Sequence, residues 1–440
     1  VAALETARGG QATITAPALA FTFAPSGRRG APSRLARVAT LGRGMAVWQA
    51  PGAAQDLITA DRLALRLNAD QHPQAAAAEG RVLLAAGARP GSPSRQVQAS
   101  HLVASFAADG GLRQARAAGS VVLRQGDERA LADRADFDPA RNSVLLQARP
   151  DSAFTHGKVS AASPELTLSA PSVREQGGRV VAEGGVTASL LPRAAQGHSG
   201  AGSAAPFGGA GGQPIDIAAQ RAALAPKGAA GDFSGAVRLW QGANVMWADR
   251  VTFARDAPRF SAVGDVRSTF LAPRGLPEER GGSLAALAGS GHAGRTRPAA
   301  PARPMPVMAV ADRLDYVGAT RQAVYSGHVK VTAGDSILTA QKLRIEFLPA
   351  GAPAAPARVR RVVAEGGAQL LEPGRRAAAE QIVYDFAAGL VTLSGGSPSI
   401  FDAELGYLAG STLTFSPSNA SIRVESGGGS RTYGEYRIKK

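Results

Sequence analysis

The chain has 440 residues, 45% of them apolar but only 5% aromatic and 19% charged, enough for two or three domains or one long repetitive one. It has no cysteine, which excludes disulfide scaffolds, thiolate metal sites and thiol catalysis, while 53 Gly and 28 Pro favour short strands, turns and linkers over a helical bundle. The formal charge of +15 suits a polyanionic partner (nucleic acid, an anionic membrane surface or a phosphorylated glycolipid), unless GC-rich coding alone supplies the arginines.

In chain order, the elements follow a recurring pattern: Ala, a small or polar residue, then apolar residues at every second position. It appears at Ala16 to Phe21, Ala60 to Leu65, Ala99 to Leu102 and Ala132 to Phe137, and again from Ala162, Ala219, Ala248, Ala311, Ala340, Ala379 and Ala409. The spacing varies from 29 to 63 residues, so repeats must be read before any local motif. Within each copy the period is two: Leu63, Leu65 and Leu67 share a face, as do Val251 and Phe253, Leu314 and Tyr316, Ile382, Tyr384 and Phe386, and Leu413 and Phe415. Leu343-Arg344-Ile345-Glu346-Phe347 puts apolar groups on one face and charges on the other, the pattern of half-buried antiparallel strands.

Between copies lies a complementary segment, as in Gly119 to Asp127, Ala236 to Gly242 and Ala323 to Val331. Gly126-Asp127, Gly242-Ala243 and Gly334-Asp335 read as hairpin turns, because Gly tolerates positive φ and Asp caps its own backbone. Each repeat is thus expected to be a pair of short strands, giving upwards of twenty strands and almost no helix. Five segments follow: an N-terminal β-repeat unit at 1–191, a Gly/Ala/Ser-rich loop at 192–214, middle β-repeats at 215–271, a Pro/Gly/Arg-rich linker at 272–308 and a C-terminal unit at 309–440. The linker is the preferred domain boundary, and an Ala/Pro/Gly insert at 349–357 only lengthens a hairpin.

Chemistry-bearing motifs are scarce. Gly289 to Gly294 has the G-x-G-x-x-G spacing but lies in low-complexity sequence without the strand and helix a dinucleotide site needs. Asp61, Asp133, Asp249 and Asp312 recur at equivalent repeat positions, which suits a turn or strand start better than a calcium ladder. Trp48, Trp240 and Trp247 could stack on sugars, although packing is the more common role. No nucleophile elbow, histidine pair or carboxylate pair appears, so no enzyme, cofactor or metal is expected, and basic residues without interleaved aromatics argue against nucleic acid. No apolar run is long enough for a membrane-spanning helix, and Val1 rather than Met leaves room for a signal or anchor ahead of it.

The C-terminal third resembles a known family. Val324 to Val331 followed by Ile337 to Leu343 is similar to the repeat of the OstA-like family, which includes the periplasmic lipopolysaccharide-transport proteins LptA and LptC and the N-terminal domain of LptD. Val363-Ala364-Glu365-Gly366-Gly367, Ala379 to Tyr384 and Leu393 to Pro398 continue the alternation, and Val263 to Phe270 carries the same kind of pattern. The similarity is strong over about 309–428 and degenerate over 11–270. The family usually carries Asp where this chain has Gln341.

The resemblance implies an all-β protein of tandem antiparallel β-jellyrolls opened into V-shaped troughs. It implies a non-catalytic periplasmic bridge, with room for an inner-membrane anchor before Val1, that shields lipid A acyl chains and meets other Lpt-type jellyrolls by end-strand pairing. The expected lining is Leu314, Tyr316, Val329, Val331, Leu343, Ile345, Phe347, Ile382, Tyr384, Phe386, Leu413 and Phe415. The same inward residues also suit the plain core of a β-sandwich. Two other readings remain open: a structural or adhesive β-repeat surface protein, and an enzyme on anionic polysaccharide, for which no catalytic pair can be named.

Overall fold

A computed structural model describes residues 2–5, 11–25, 33–49, 55–87, 94–108, 111–191, 213–255, 259–271, 306–348, 359–386, 388–403, 406–415, 422–425 and 433–435. Most of the loop predicted at 192–214, most of the linker at 272–308, the insert at 349–357 and the Gly289 to Gly294 spacing lie outside these. The described residues form antiparallel strands and a single short helical turn, Pro226–Gly228. They divide into two compact units, residues 1–189 with 221–228 and residues 190–220 with 229–440.

Three of the turns read from the sequence are present. Gln125 pairs with Glu128, Gln241 with Asn244 and Ala333 with Ser336, leaving Gly126-Asp127, Gly242-Ala243 and Gly334-Asp335 as two-residue hairpin loops. Each first turn residue has positive φ, between 56° and 58°.

The strands themselves differ from the expected short pairs. Pro73–Ala86, Arg95–Phe106, Leu112–Gln125, Gln322–Ala333 and Val359–Glu372 are continuous over 12 to 14 residues. Each pairs along its length with a neighbour, with one register shift near its middle. Arg95–Phe106 has no left-handed residue, but the other four and also Ala230–Gln241 and Arg259–Leu271 carry two consecutive residues with positive φ at the shift: Gly80 and Arg81, Gly119 and Ser120, Gly235 and Ala236, Gly264 and Asp265, Gly327 and His328, Gly366 and Gly367. These are β-bulges, which bend a strand sharply without ending its ladder. A broken alternation beside a glycine looks like a turn in sequence, yet here one strand passes from one layer into the other.

The recurring aspartates belong to this bend. A Cβ on Gly80, Gly264 or Gly327 would collide with the carboxylate of Asp61, Asp249 or Asp312 on the preceding strand. The Ala-Asp repeat and the downstream glycine are therefore two sides of one close approach. Asp133 stands at the same level but is buried, and it binds the loop after residue 147 instead. The described residues hold no cluster of His, Asp or Glu able to ligate a metal.

With these bends recurring along the ladder, each unit forms two facing layers, a jellyroll. In the C-terminal unit one layer holds Val237, Val266, Ala309, Val331 and Leu338, all buried, and the other holds Leu314, Tyr325 and Leu343, also buried. The layers touch directly: the hydroxyls of Ser268 and Tyr325, one from each, lie 3.1 Å apart. Burial drives the Tyr325 phenol well above the ordinary tyrosine value, with the Ser268 hydroxyl opposing only part of that rise.

The boundary predicted at 272–308 is not where the chain divides. Arg259–Leu271 pairs with Pro306–Val317 over their whole length, so the middle repeats from residue 229 share one unit with the C-terminal strands. A low-complexity insert reports only its own composition; the strands on either side pair regardless.

Candidate lipid-binding interior

The register sorts the predicted lining into transverse rows. Leu314, Tyr325, Leu343, Ala364, Ile382, Leu393 and Leu413 are successive cross-strand partners. One row further from the bend, Tyr316, Ala323, Ile345, Val362, Tyr384, Val391 and Phe415 do the same. Val331 belongs to the opposite layer, in a row with Ala309 and Leu338, and Val329 lies one row nearer the bend, beside Ala340. The structure therefore brings the named residues into one interior drawn from strands more than 80 residues apart.

Of the twelve, ten are buried, from Leu413 at 0% exposure to Phe386 at 9%, and only Ile345 and Phe347 are half-buried. Tyr384 and Phe386 meet edge-on at 4.0 Å, and Tyr316 meets Phe347 at 6.4 Å. In this unit the two layers are packed together. Burial pushes the Tyr316 and Tyr384 phenols upward, so both stay protonated at neutral pH and act as apolar rings with one hydrogen-bonding tip.

Open space lies in the N-terminal unit, in a place the sequence reading did not single out. A cavity of about 820 Å³ runs between its two layers, bounded by Ile14, Val38, Ile58, Leu63, Leu84 and Leu102 among others. That is well inside the range of roughly 300–1,000 Å³ typical of small-molecule sites. Trp48 lines it too, which gives one of the three tryptophans an interior place. The other two flank Arg238 instead, whose guanidinium carbon is 5.2 Å from the Trp240 ring and 6.0 Å from the Trp247 ring.

The same topology gives a filled interior in one unit and an open one in the other because of side-chain volume. The N-terminal lining uses alanine at inward positions 46, 76, 78, 104, 115 and 117. The C-terminal rows use Leu, Ile, Tyr and Phe at most crossings. Two layers about 10 Å apart close only when long side chains meet across the gap. The signal was present in the sequence as alanines at inward positions, but alternation registers a small apolar residue and a large one alike.

Comparison with known proteins now adds a family. Residues 309–414 match the family model described as LptA/(LptD N-terminal domain) LPS transport protein. That stretch is similar to the OstA-like domain of this family. It holds the two apolar rows almost entire, from Leu314 to Leu413. Among solved structures, the chain is similar to LptH from Pseudomonas aeruginosa, described as the LptA homologous periplasmic component of the conserved lipopolysaccharide transport device. The identity is 16% over 30% of this chain and 76% of LptH, with a TM-score of 0.22. No curated protein matches the chain. No helix among the described residues is long and apolar enough to cross a membrane.

Proposed function

We propose that the protein is a non-catalytic carrier in lipopolysaccharide transport, working in the periplasm, that holds the acyl chains of lipid A between the two layers of its jellyrolls. The observation that carries this reading is the apolar cavity of the N-terminal unit, enclosed by two layers of the same bent-strand design as the family-matched domain. An acyl chain entering it would leave water at roughly 0.8 kcal/mol per methylene, which holds a lipid firmly without covalent chemistry. In the C-terminal unit the same event requires the layers to part, exchanging contacts among Leu343, Ile382, Tyr384 and Phe415 for contacts with the chain. Outward arginines then offer charge-assisted hydrogen bonds to lipid phosphates.

A photo-crosslinking residue placed at Leu65 in the cavity and at Tyr384 in the C-terminal interior tests this against one at outward-facing Arg267. Lipopolysaccharide captured in the periplasm from the first two positions and not the third is the expected result. A folded protein that captures none at any position would leave a structural β-repeat as the better account.

A further inference from the structure

Besides the Ser268–Tyr325 hydroxyl pair, the described interior of the C-terminal unit carries one row of polar side chains. At the edge of one layer furthest from the bend, Ser336, Glu372, Arg375 and Asp402 follow one another across neighbouring strands. Ile337 pairs with Leu371, which sets Ser336 beside Glu372; Glu372 pairs with Arg375, and Arg375 with Asp402. All four share the inward parity of their strands, with Leu338, Leu370, Ala377 and Ile400 respectively, each of which is buried. Ser336 is 3% exposed and its hydroxyl has no hydrogen-bond partner. A buried hydroxyl left without a partner is destabilising unless something supplies the missing bond.

Glu372 is 8% exposed. Arg375 lies opposite it in register yet gives its guanidinium to Asp402 at 3.1 Å and stacks over the Phe415 ring at 5.4 Å. Burial pushes the Glu372 carboxyl upward, Arg375 offsetting only part of that, and the same carboxylate helps push up Tyr384 on the facing layer. The row and the aromatic lining therefore face each other across the interior.

The N-terminal unit repeats the arrangement. Trp48 pairs with Asp56 and Arg95 with Gln125 at the corresponding edge, and Trp48, Asp56 and Arg95 line the open cavity. There the Arg95 Nε donates to the Gln125 side-chain Oε1 at 2.9 Å, and Asp56 accepts the Gly87 amide at 3.0 Å. Two units with different interiors thus keep polar groups at the same level.

We propose that Ser336, Glu372, Arg375 and Asp402 form a binding row for the uncharged hydrogen-bonding groups, hydroxyl, ester or amide, that adjoin the acyl chain of a bound amphiphile. Its charge makes the choice of ligand. One guanidinium stands among two carboxylates, so the row is neutral with Glu372 protonated and negative otherwise, and a phosphate gains nothing there. A hydroxyl or carbonyl, by contrast, meets both donors and acceptors, among them the unsatisfied Ser336 hydroxyl. Phosphates are left to the outer arginines. This rests on the carrier reading above, since the chain must lie in the interior for its polar end to reach the row.

The test uses the full chain and a monoacylglycerol with a diazirine at the chain terminus, with labelled peptides mapped by mass spectrometry. Labelling is expected within Ser336–Phe347 and Arg375–Asp385. Unlabelled monoacylglycerol should compete at least roughly tenfold better than lysophosphatidic acid of the same chain length. Ser336→Ala and Glu372→Leu should each cut labelling several-fold, with Glu372→Gln restoring it, and thermal melting of each variant checks that it folds. Equal competition by the phosphate, or undiminished labelling of folded Ser336→Ala and Glu372→Leu variants, overturns the row while leaving the carrier reading intact. No labelling of C-terminal peptides by the probe in the wild-type chain overturns both for this unit.

Discussion

Two consecutive left-handed residues inside a strand are costly for most side chains, yet the two positions of each bulge are not alike. The first is glycine every time, with φ from 71° to 84° in the six bends described above. The second is Arg81, Ser120, Ala236, Asp265 or His328 in five of them, with φ between 44° and 50°, the region that L-residues visit singly, and Gly367 at 64° in the sixth. The first position also faces a side chain on the preceding strand, whereas a Cβ at Gly367 would meet nothing within 4 Å. Gly327→Ala should therefore destabilise by about 1–3 kcal/mol, from backbone strain together with the displaced Asp312 carboxylate. Gly367→Asn should stay within about 0.5 kcal/mol of the wild type. Chemical denaturation of the two variants side by side measures the difference, and equal losses would mean that strain is shared across the bulge.

At the scale of elements, the alternation read from the sequence was sufficient for the strands, their inward faces and three hairpins. It failed at the bends, because a bulge and a turn both interrupt alternation with glycine and differ only in whether the ladder resumes. It also failed to rank the two interiors, since Ala104 and Leu393 obey the same period and differ only in volume. That difference is testable. Ala104→Leu, at the cavity wall, adds apolar volume where space exists and should leave stability unchanged or raise it by about 1 kcal/mol, while reducing uptake of a fluorescent hydrophobic probe. Ala364→Leu, at 1% exposure between Leu343 and Ile382, overfills a packed row and should cost about 1–3 kcal/mol.

Asp133 is an element-scale anchor that no motif revealed. From the strand Glu128–Asp138 it accepts the hydroxyls of Ser152 at 2.5 Å and Thr155 at 2.6 Å and the Arg149 amide at 2.7 Å. Burial pushes its carboxyl upward, but these hydrogen bonds outweigh that and hold it below the ordinary aspartate value. A carboxyl with a lowered folded value stabilises fully above its unfolded value, about 3.9, and loses that contribution as pH falls through the folded value. Asp133→Asn should lower stability at pH 7 and flatten the acid limb below about pH 4 in pH-dependent melting. An acid limb parallel to that of the wild type would show that the carboxylate is not the anchor.

At the scale of the whole molecule, the carrier reading proposed above requires cargo to be handed on, and strand edges are where a neighbouring jellyroll would continue the interior. Ala18–Ala24 pairs on one side with Arg34–Leu41, and among the described residues it has no second partner. Phe21 and Phe23 on this strand are 47% and 57% exposed, and Leu41 opposite is 59% exposed. An edge that is both unpaired and apolar is normally blunted by charge or proline, and this one carries neither. Pairing with the terminal strand of another OstA-like jellyroll would satisfy the free backbone groups and cover the aromatics together. Backbone groups along an edge point alternately toward the partner strand and outward, so proline at Phe21 and proline at Thr22 have opposite effects. One removes an outward N–H and spares the ladder with Arg34–Leu41; the other breaks that ladder. A crosslinking residue at Phe23 should capture another jellyroll in the periplasm. Exactly one of the two proline variants should lose that capture while keeping the melting temperature of the wild type. If the ladder-sparing variant captures its partner as before, cargo leaves by another route than this edge.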